Sequence, residues 1–286
     1  MVSFTKLQAT GNDFVLIDCF KENLTDVPFD ILARNICERR FGIGADGLLL
    51  LLPSKIANFK MRIFNPDGSE AEMCGNGIRC LALYAYEHNL WEEKYMEVET
   101  LAGVKRLKLI LEGKKLVGVR VGMGQPLFQP ESIPIKAKEN PLNMSLRAGG
   151  RRWEVTCLSM GNPHCVVLVD DVDEFPVEKI GPEIEKHPLF PNRTNVEFVE
   201  VINRDELKVR VWERGVGETL ACGTGACASL VATALQGLTG RAGKLHLKGG
   251  DLYVEWLENG EVYLTGPAEE VFEGQFDMKK FLKSER

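Results

Sequence analysis

Cys74 and Cys222 each stand before a glycine-rich turn, in "MCGNGIRCLA" (73–82) and "LACGTGACAS" (220–229). A thiol in that setting can serve as acid–base group, metal ligand, redox centre or packing. If a helix begins just after each cysteine, the amides of Gly75, Asn76, Gly223 and Thr224 lie at helix N-termini, where negative charge is favoured. Glycines there let the backbone curl into a nest of N–H groups and let a ligand approach closely, which suits a carboxylate. The same field stabilises a thiolate. A helix start contributes about 0.3–2 kcal/mol and one pKa unit is about 1.36 kcal/mol, so the helix alone lowers a thiol by roughly one unit. A further partner must poise the pair, with one thiol deprotonated and the other protonated. Two such thiols across one α-carbon would be base and acid on opposite faces, an arrangement that inverts a stereocentre.

A single cysteine among apolar residues is more often packing than chemistry, and one C-G-x-G string is a weak signal. Two copies, each at an expected helix start, reverse that weighting. Cys19, Cys37, Cys80, Cys157, Cys165 and Cys227 are expected to be packing residues, and Cys80 and Cys227 fall within the apolar helical segments, where a thiol is inert. A phosphate loop would need a downstream GK[ST], and a dinucleotide fingerprint GxGxxG after a strand; neither occurs. Cys74 to Cys80 and Cys222 to Cys227 exceed the CxxC spacing of zinc or thioredoxin-like sites, and the chain has four histidines, so neither metal nor cofactor is expected.

The elements that must position these thiols come in two copies. "TGNDFVLID" (10–18) resembles "MGNPHCVVLVD" (160–170), each an Asn after Gly leading into an apolar run that ends in Asp. Cys74 follows Asn12 by 62 residues and Cys222 follows Asn162 by 60, while Asn65 and Glu213 each precede their cysteine by nine. Three markers at matched spacing indicate a duplication. Strand patterns such as "YMEVET", "VGVRV", "LKVRVW" and "LYVEW" alternate with Gly, Pro, Asn and Asp turns. Two segments, "GIRCLALYAYEHN" and "GACASLVATALQG", read as helices so apolar that strands must bury them. The Pro- and Gly-rich stretch 123–142 divides the copies. The expected fold is α+β: two pseudosymmetric domains, each a β-sheet or barrel around a central helix, with a cleft where the helix starts face each other.

The 286 residues, 44% hydrophobic, suffice for one large or two ordinary cores. The longest aliphatic run, "LLLLL" at 48–52, is too short for a span, and the N-terminus lacks a signal-peptide apolar region, so a soluble cytoplasmic protein is expected. A net charge of −6 with scattered Lys and Arg argues against a nucleic-acid surface, and eight cysteines without an export signal read as reduced thiols.

"NPDGSEAEMCGNGIR" (65–79) and "WERGVGETLACGTGA" (212–226) resemble the two active-site motifs of diaminopimelate epimerases, and "TGNDFVLID", "GNPHCVVLVD" and "TNVEFVEVI" resemble three further segments of that family. The resemblance extends over essentially the whole chain. It implies a cofactor-independent epimerase that interconverts LL- and meso-2,6-diaminopimelate, toward lysine and peptidoglycan, and a homodimer. It also implies a last strand that crosses back, giving domains 1–122 plus 268–286, and 123–267. Cys74 and Cys222 become the acid–base pair, and Asn12, Asn65, Asn162, Asn195, Glu213 and Arg214 substrate-binding positions, with the amides at Gly75, Asn76, Gly223 and Thr224. Gly47, where many relatives have Gln, and the lack of an extra Gly before Gly11 are departures expected to alter packing near the substrate mouth.

The reacting carbon needs near-symmetry and the rest of the substrate does not, so the differences between copies are informative. His164 falls in a two-residue extension absent from the first copy and is read either as a structural strand cap or as a group poising one cysteine. Glu213 and Arg214 replace Asn65 and Pro66, the Glu suited to an ammonium and the Arg to a distal carboxylate. His164 or Glu213 is expected to assist thiol ionisation. Arg79 reads as a solvated helix residue or an orienting group, with structure favoured. Rival readings are a proline racemase or hydroxyproline epimerase, whose substrate lacks the charged distal end, and a thiol-based metal or redox-sensing protein.

Overall fold

The computed structural model describes residues 1–22, 24, 26–136 and 140–282; residues 137–139 of the expected dividing stretch and 283–286 of the expected returning segment lie outside the described residues. The fold is α+β, strand-rich with few helices, and the chain divides into two compact units: Met1–Val121 with the segment from Gly266, and Gly122–Thr265.

In the first unit, strand Val2–Ala9 pairs antiparallel with Asn12–Asp18 and with Glu269–Phe276. Asn12–Asp18 runs parallel to Gly47–Leu52, which pairs antiparallel with Phe59–Phe64. Phe59–Phe64 then runs parallel to Tyr95–Thr100, followed by antiparallel Gly103–Glu112. A parallel pair cannot be joined by a tight hairpin, and each parallel step here is spanned by a helix, Phe29–Cys37 and then Gly75–Glu87.

The second unit repeats this order. Arg151–Ser159 pairs antiparallel with Met144–Ala148 and Pro163–Leu168, and Pro163–Leu168 runs parallel to Asn195–Asn203 across helix Val177–Glu185. Antiparallel Glu206–Glu213 follows, then parallel Ala242–Leu247 across helix Gly223–Leu235. Helix Gly75–Glu87 packs on strands Val2–Ala9, Asn12–Asp18, Gly47–Leu52, Phe59–Phe64 and Glu269–Phe276, and helix Gly223–Leu235 on six strands of its own unit. Each is central to its unit and largely buried.

Both helices start two residues earlier than their apolar patterns suggest, because the glycines after each cysteine are already helical. The helices Phe29–Cys37 and Val177–Glu185 have no counterpart in the sequence reading. Each is nine residues long and follows a proline, and the second carries Gly181 and Pro182 inside it. The stretch 123–142 is more than a divider, since Ile133 and Ile135 are buried in the core of the second unit. Among the described residues no helix is long and apolar enough to cross a membrane.

The registers fix which positions of the two units correspond. Phe14 lies opposite Gly47, and Leu48 opposite Phe64; His164 lies opposite Asn195, and Val196 opposite Trp212. His164 therefore occupies the place of Phe14, Asn195 that of Gly47 and Glu197 that of Leu49. The expectation that His164 sits in an extension is corrected, because the two extra residues fall beyond Leu168 at the other end of the strand. Gly47 itself is buried, and a Cβ there would meet the Phe64 carbonyl at 3.2 Å and the Phe14 ring at 3.3 Å.

Candidate active site

In the first unit Cys74 is the N-cap of helix Gly75–Glu87, in extended backbone, and its Sγ accepts the Gly77 amide at 3.4 Å. The thiol donates to Asn12 Oδ1 at 3.9 Å, and Asn76 Nδ2 donates to the same oxygen at 3.3 Å. Asn12 is aimed from behind, its Nδ2 donating to Asp46 Oδ2 at 2.9 Å. Asp46 and Asp13 share the Arg39 guanidinium, each at 2.7 Å. Burial opposes ionisation of Asp13, yet hydrogen bonds from Arg39 and then Lys6 hold its carboxyl down at about 2.

Arg79 is fully buried and not solvated: it donates to Gly75 O at 3.1 Å, Thr10 Oγ1 at 3.2 Å and Pro267 O at 3.2 Å. It ties the helix start to the turn that presents Asn12, at Thr10 (φ 50°) and Gly11 (φ 81°). Asn65 is turned toward Ser69, donating to its hydroxyl at 3.0 Å.

The second unit builds the same cap differently. Cys222 is the N-cap of helix Gly223–Leu235, and its Sγ accepts the Gly225 amide at 3.4 Å and lies 3.4 Å from Thr224 Oγ1. Asn162 Nδ2 donates to Thr224 Oγ1 at 3.3 Å, as Asn12 serves residue 76 in the first unit. Asn162 Oδ1 meets His164 Nε2 at 2.9 Å, and His164 Nδ1 lies 2.7 Å from Glu197 Oε1. His164 and Glu197 are both 0% exposed.

Glu213 accepts from Thr219 Oγ1 at 2.5 Å, and its charge acts on the Cys222 thiol. Burial first, and the Glu197 charge after the opposing Thr219 bond, push the Glu213 carboxyl up. Burial, then the charges of Glu213 and Glu197, push the Cys222 thiol well above the ordinary range, against the opposing Thr224 hydroxyl and Gly225 amide.

The structure places two further expected positions. The Glu213 carboxylate accepts from Thr219 while the Arg214 side chain is exposed and donates to Asn192 O at 3.3 Å, so the two side chains take separate partners; neighbouring residues at a strand end point to opposite sides. Asn195 is buried with its amide committed to backbone, donating to Pro163 O and accepting from Arg214 N–H, both at 2.9 Å. It braces the loop that carries Glu213 and Arg214.

The sequence reading missed the Gly77 and Gly225 amides that cap the sulfurs, and it missed Asp46 and Glu197. The cap amides follow from position, since an N-cap side chain accepts from the amide two or three residues on. Glu197 was available from the duplication, by laying "NVE" at 195–197 over "GLL" at 47–49.

All eight cysteines are free thiols. Cys37 is pushed up to about 12 and Cys19 to about 11, both by burial first, and Cys80 and Cys165 are also raised by burial first. Among the described residues the His, Cys and carboxylate side chains close enough to share an ion are His88, Glu270 and Glu273, which include neither cap cysteine.

The sequence pattern of the family described as "Diaminopimelate epimerase" matches residues 4–128 and 156–271. Diaminopimelate epimerase of Moorella thermoacetica is 56% identical over 279 residues, covering 96% of this chain and 99% of the relative. That of Pelotomaculum thermopropionicum is 54% identical over 274 residues, covering 96% and 98%. Among solved structures, a Bacillus anthracis phenazine biosynthesis protein of the PhzF family superposes with TM-score 0.71 at 18% identity, covering 96% of this chain and 98% of that one. A probable proline racemase from Agrobacterium radiobacter gives 0.68 at 17%, covering 97% and 93%. At those identities the structural matches establish the shared fold, whereas the sequence matches, near full length and above half identity, place the chain itself: it belongs to the diaminopimelate epimerase family.

Proposed function

We propose that this chain interconverts LL- and meso-2,6-diaminopimelate without a cofactor, with Cys74 and Cys222 as the base and acid at one α-carbon. The observation that carries the reading is the duplicated cap, a cysteine at the N-terminus of the central helix in each unit, its sulfur on the third amide of that helix.

In one direction a thiolate takes the α-proton and becomes a thiol, the C–H electron pair moves into the adjacent carboxylate, and the other thiol delivers its proton to the opposite face. With no electron sink, the extra carboxylate charge must be met by preorganised donors. The first amides of an α-helix lack intrahelical partners, and in this reading those at Gly75, Asn76, Gly223 and Thr224 receive it. Loss of one such donor typically costs about 2.7–4 kcal/mol, so amides from two helix starts supply a substantial part of the barrier reduction.

Glu213, whose charge acts on Cys222, moves the proton on that thiol. His164 reaches Cys222 through Asn162 and Thr224, and Arg214, exposed next to Glu213 in sequence, is assigned to the distal carboxylate. Asn12, Asn162 and Asn65 bind the near end of the substrate. The same reading carries a small-molecule partner, a homodimer and a cytoplasmic location.

The test is incubation of LL-diaminopimelate with purified, reduced protein in deuterated water without cofactor. The meso isomer should appear with one deuterium at one α-carbon, and Cys74→Ala and Cys222→Ala should each abolish it. No exchange by the wild type, or full turnover by either variant, overturns the reading.

A further inference from the structure

The two units use one scaffold beneath their cysteines, but fill it with opposite chemistry. In the first, Leu49 lies under the helix start, where a Cβ on Gly77 would meet its Cδ2 at 3.1 Å, and Phe14 holds the place of His164. In the second, the corresponding His164 and Glu197 lie there, and a Cβ on Gly225 would meet Glu197 Oε1 at 2.8 Å. The fold does not require a polar pair at this place, since the first unit is built around hydrocarbon.

A polar pair there is also costly. Glu197 is 0% exposed, one carboxylate oxygen is held by His164, and Oε2 has no hydrogen-bond partner among the described residues. Burying a polar atom without a protein partner is destabilising, and an exception of this kind calls for a functional reason.

That reason lies in what the carboxylate faces. It packs against Gly225, whose amide caps the Cys222 sulfur. It also anchors the chain His164–Asn162–Thr224 that ends on the same sulfur. The groups that face Cys222 are Glu213 from strand Glu206–Glu213, Glu197 from strand Asn195–Asn203, His164 at the far end of the chain, and the Thr224 hydroxyl on its own helix. In the first unit Leu49 stands at the corresponding place.

We propose that Glu197 is a positioning residue for Cys222: a buried carboxylate, standing where the other unit has Leu49, that holds the His164 chain and keeps the proton on Cys222 in the free enzyme. Cys222 thereby rests as the acid of the pair. The direction of the Cys222 shift agrees, with Glu197 among the charges that raise it. The inference rests on the reading of Cys222 as one of the two catalytic thiols.

The experiment first assays wild type and Cys222→Ser for deuterium exchange into LL-diaminopimelate, which tests that reading alone. Thiolate absorbance at 240 nm is then titrated in Glu197→Gln, which removes the charge and keeps an acceptor for His164. A parallel titration uses Glu197→Leu/His164→Phe, which installs the pair the first unit folds around and reads the effect should the Gln variant fail to fold. The Cys222 signal is isolated by subtracting the same protein carrying Cys222→Ser.

In each folded variant the Cys222 thiolate should appear at lower pH, by roughly one unit, or about tenfold more thiolate at a given pH. The Cys74 signal should stay where it was, and the alkaline limb of kcat/KM should move down with Cys222. A merely structural Glu197 would leave the Cys222 titration in place. An unmoved or upward-shifted Cys222 signal, in a background where wild type is active and Cys222→Ser is not, overturns the proposal and leaves the function standing.

Discussion

Asn12 is held on target by charge rather than by packing. Its amide rests on Asp46, which shares Arg39 with Asp13, and Asp13 also meets Lys6 at 2.5 Å. Asp13 is 17% exposed and depressed from 3.8 to about 2, so its ionised form is stabilised by folding. The folded value lies below the unfolded one, so this stability is present above about pH 4 and is lost as pH falls through about 2. A shift of that size corresponds to about 2 kcal/mol. Asp13→Asn should therefore lower the urea unfolding free energy by about 2 kcal/mol at pH 7, with the difference from wild type shrinking below pH 4. A difference that stays constant down to pH 2 would show that the ion pairs contribute nothing to folding. At this scale the cysteines, Asn12, Asn162, His164 and Glu213 were legible because spaced motifs flag them. Glu197 carries no motif of its own and is legible only by laying the two copies over each other, where it takes the place of Leu49; the partner His164 and the facing Gly225 then show that side chain inside.

The helix starts depend on a glycine at their third position, for different reasons in the two units. At Gly77 an added methyl meets the tip of Leu49, a flexible apolar side chain that can yield by a few tenths of an ångström. At Gly225 it meets the Glu197 oxygen at 2.8 Å and Cys222 Cβ at 3.3 Å, and that carboxylate is fixed by His164. Ala is favoured over Gly within a helix by about 0.8–1 kcal/mol, which offsets the modest crowding at Gly77. Gly77→Ala should leave stability within about 1 kcal/mol of wild type, while Gly225→Ala should lose roughly 1–3 kcal/mol, the range for overpacking a filled site. Thermal unfolding of the two variants decides the matter, and equal losses would mean that Glu197 is free to move. The central helices were readable because their apolar runs are long. The helices Phe29–Cys37 and Val177–Glu185 were not, since nine residues after a proline, with Gly181 and Pro182 in the second, carry breaker signals that outweigh a short periodic face. Their existence nevertheless follows from topology, because two parallel strand steps per unit demand two crossovers.

For the molecule as a whole, the repeated markers announced the duplication, but the strand registers were needed to show that both units share one strand order. The final strand is where the chain departs from a simple tandem. Glu269–Phe276 pairs with Val2–Ala9 along seven residue positions, in the place that Met144–Ala148 takes beside Arg151–Ser159. It covers the edge of Val2–Ala9 and brings Phe276 into a core cluster with Val2, Phe4, Val15 and Ile17. Burying a large apolar side chain is worth about 1.5–3 kcal/mol. Exposing Phe276's neighbours Val2 and Phe4, together with an unpaired edge, approaches the whole net stability of a domain, about 5–15 kcal/mol. A chain ending at Gly266 should therefore fail to hold the first unit folded, with Cys74 exposed to alkylation in native buffer. The Gly122–Thr265 unit contains all its own strand partners for Arg151–Ser159, so amides of helix Gly223–Leu235 should keep their protection from hydrogen exchange. Protection lost equally from both central helices would show that the two units fold as one cooperative block, and protection retained by helix Gly75–Glu87 would show that the first unit does not need its returning strand.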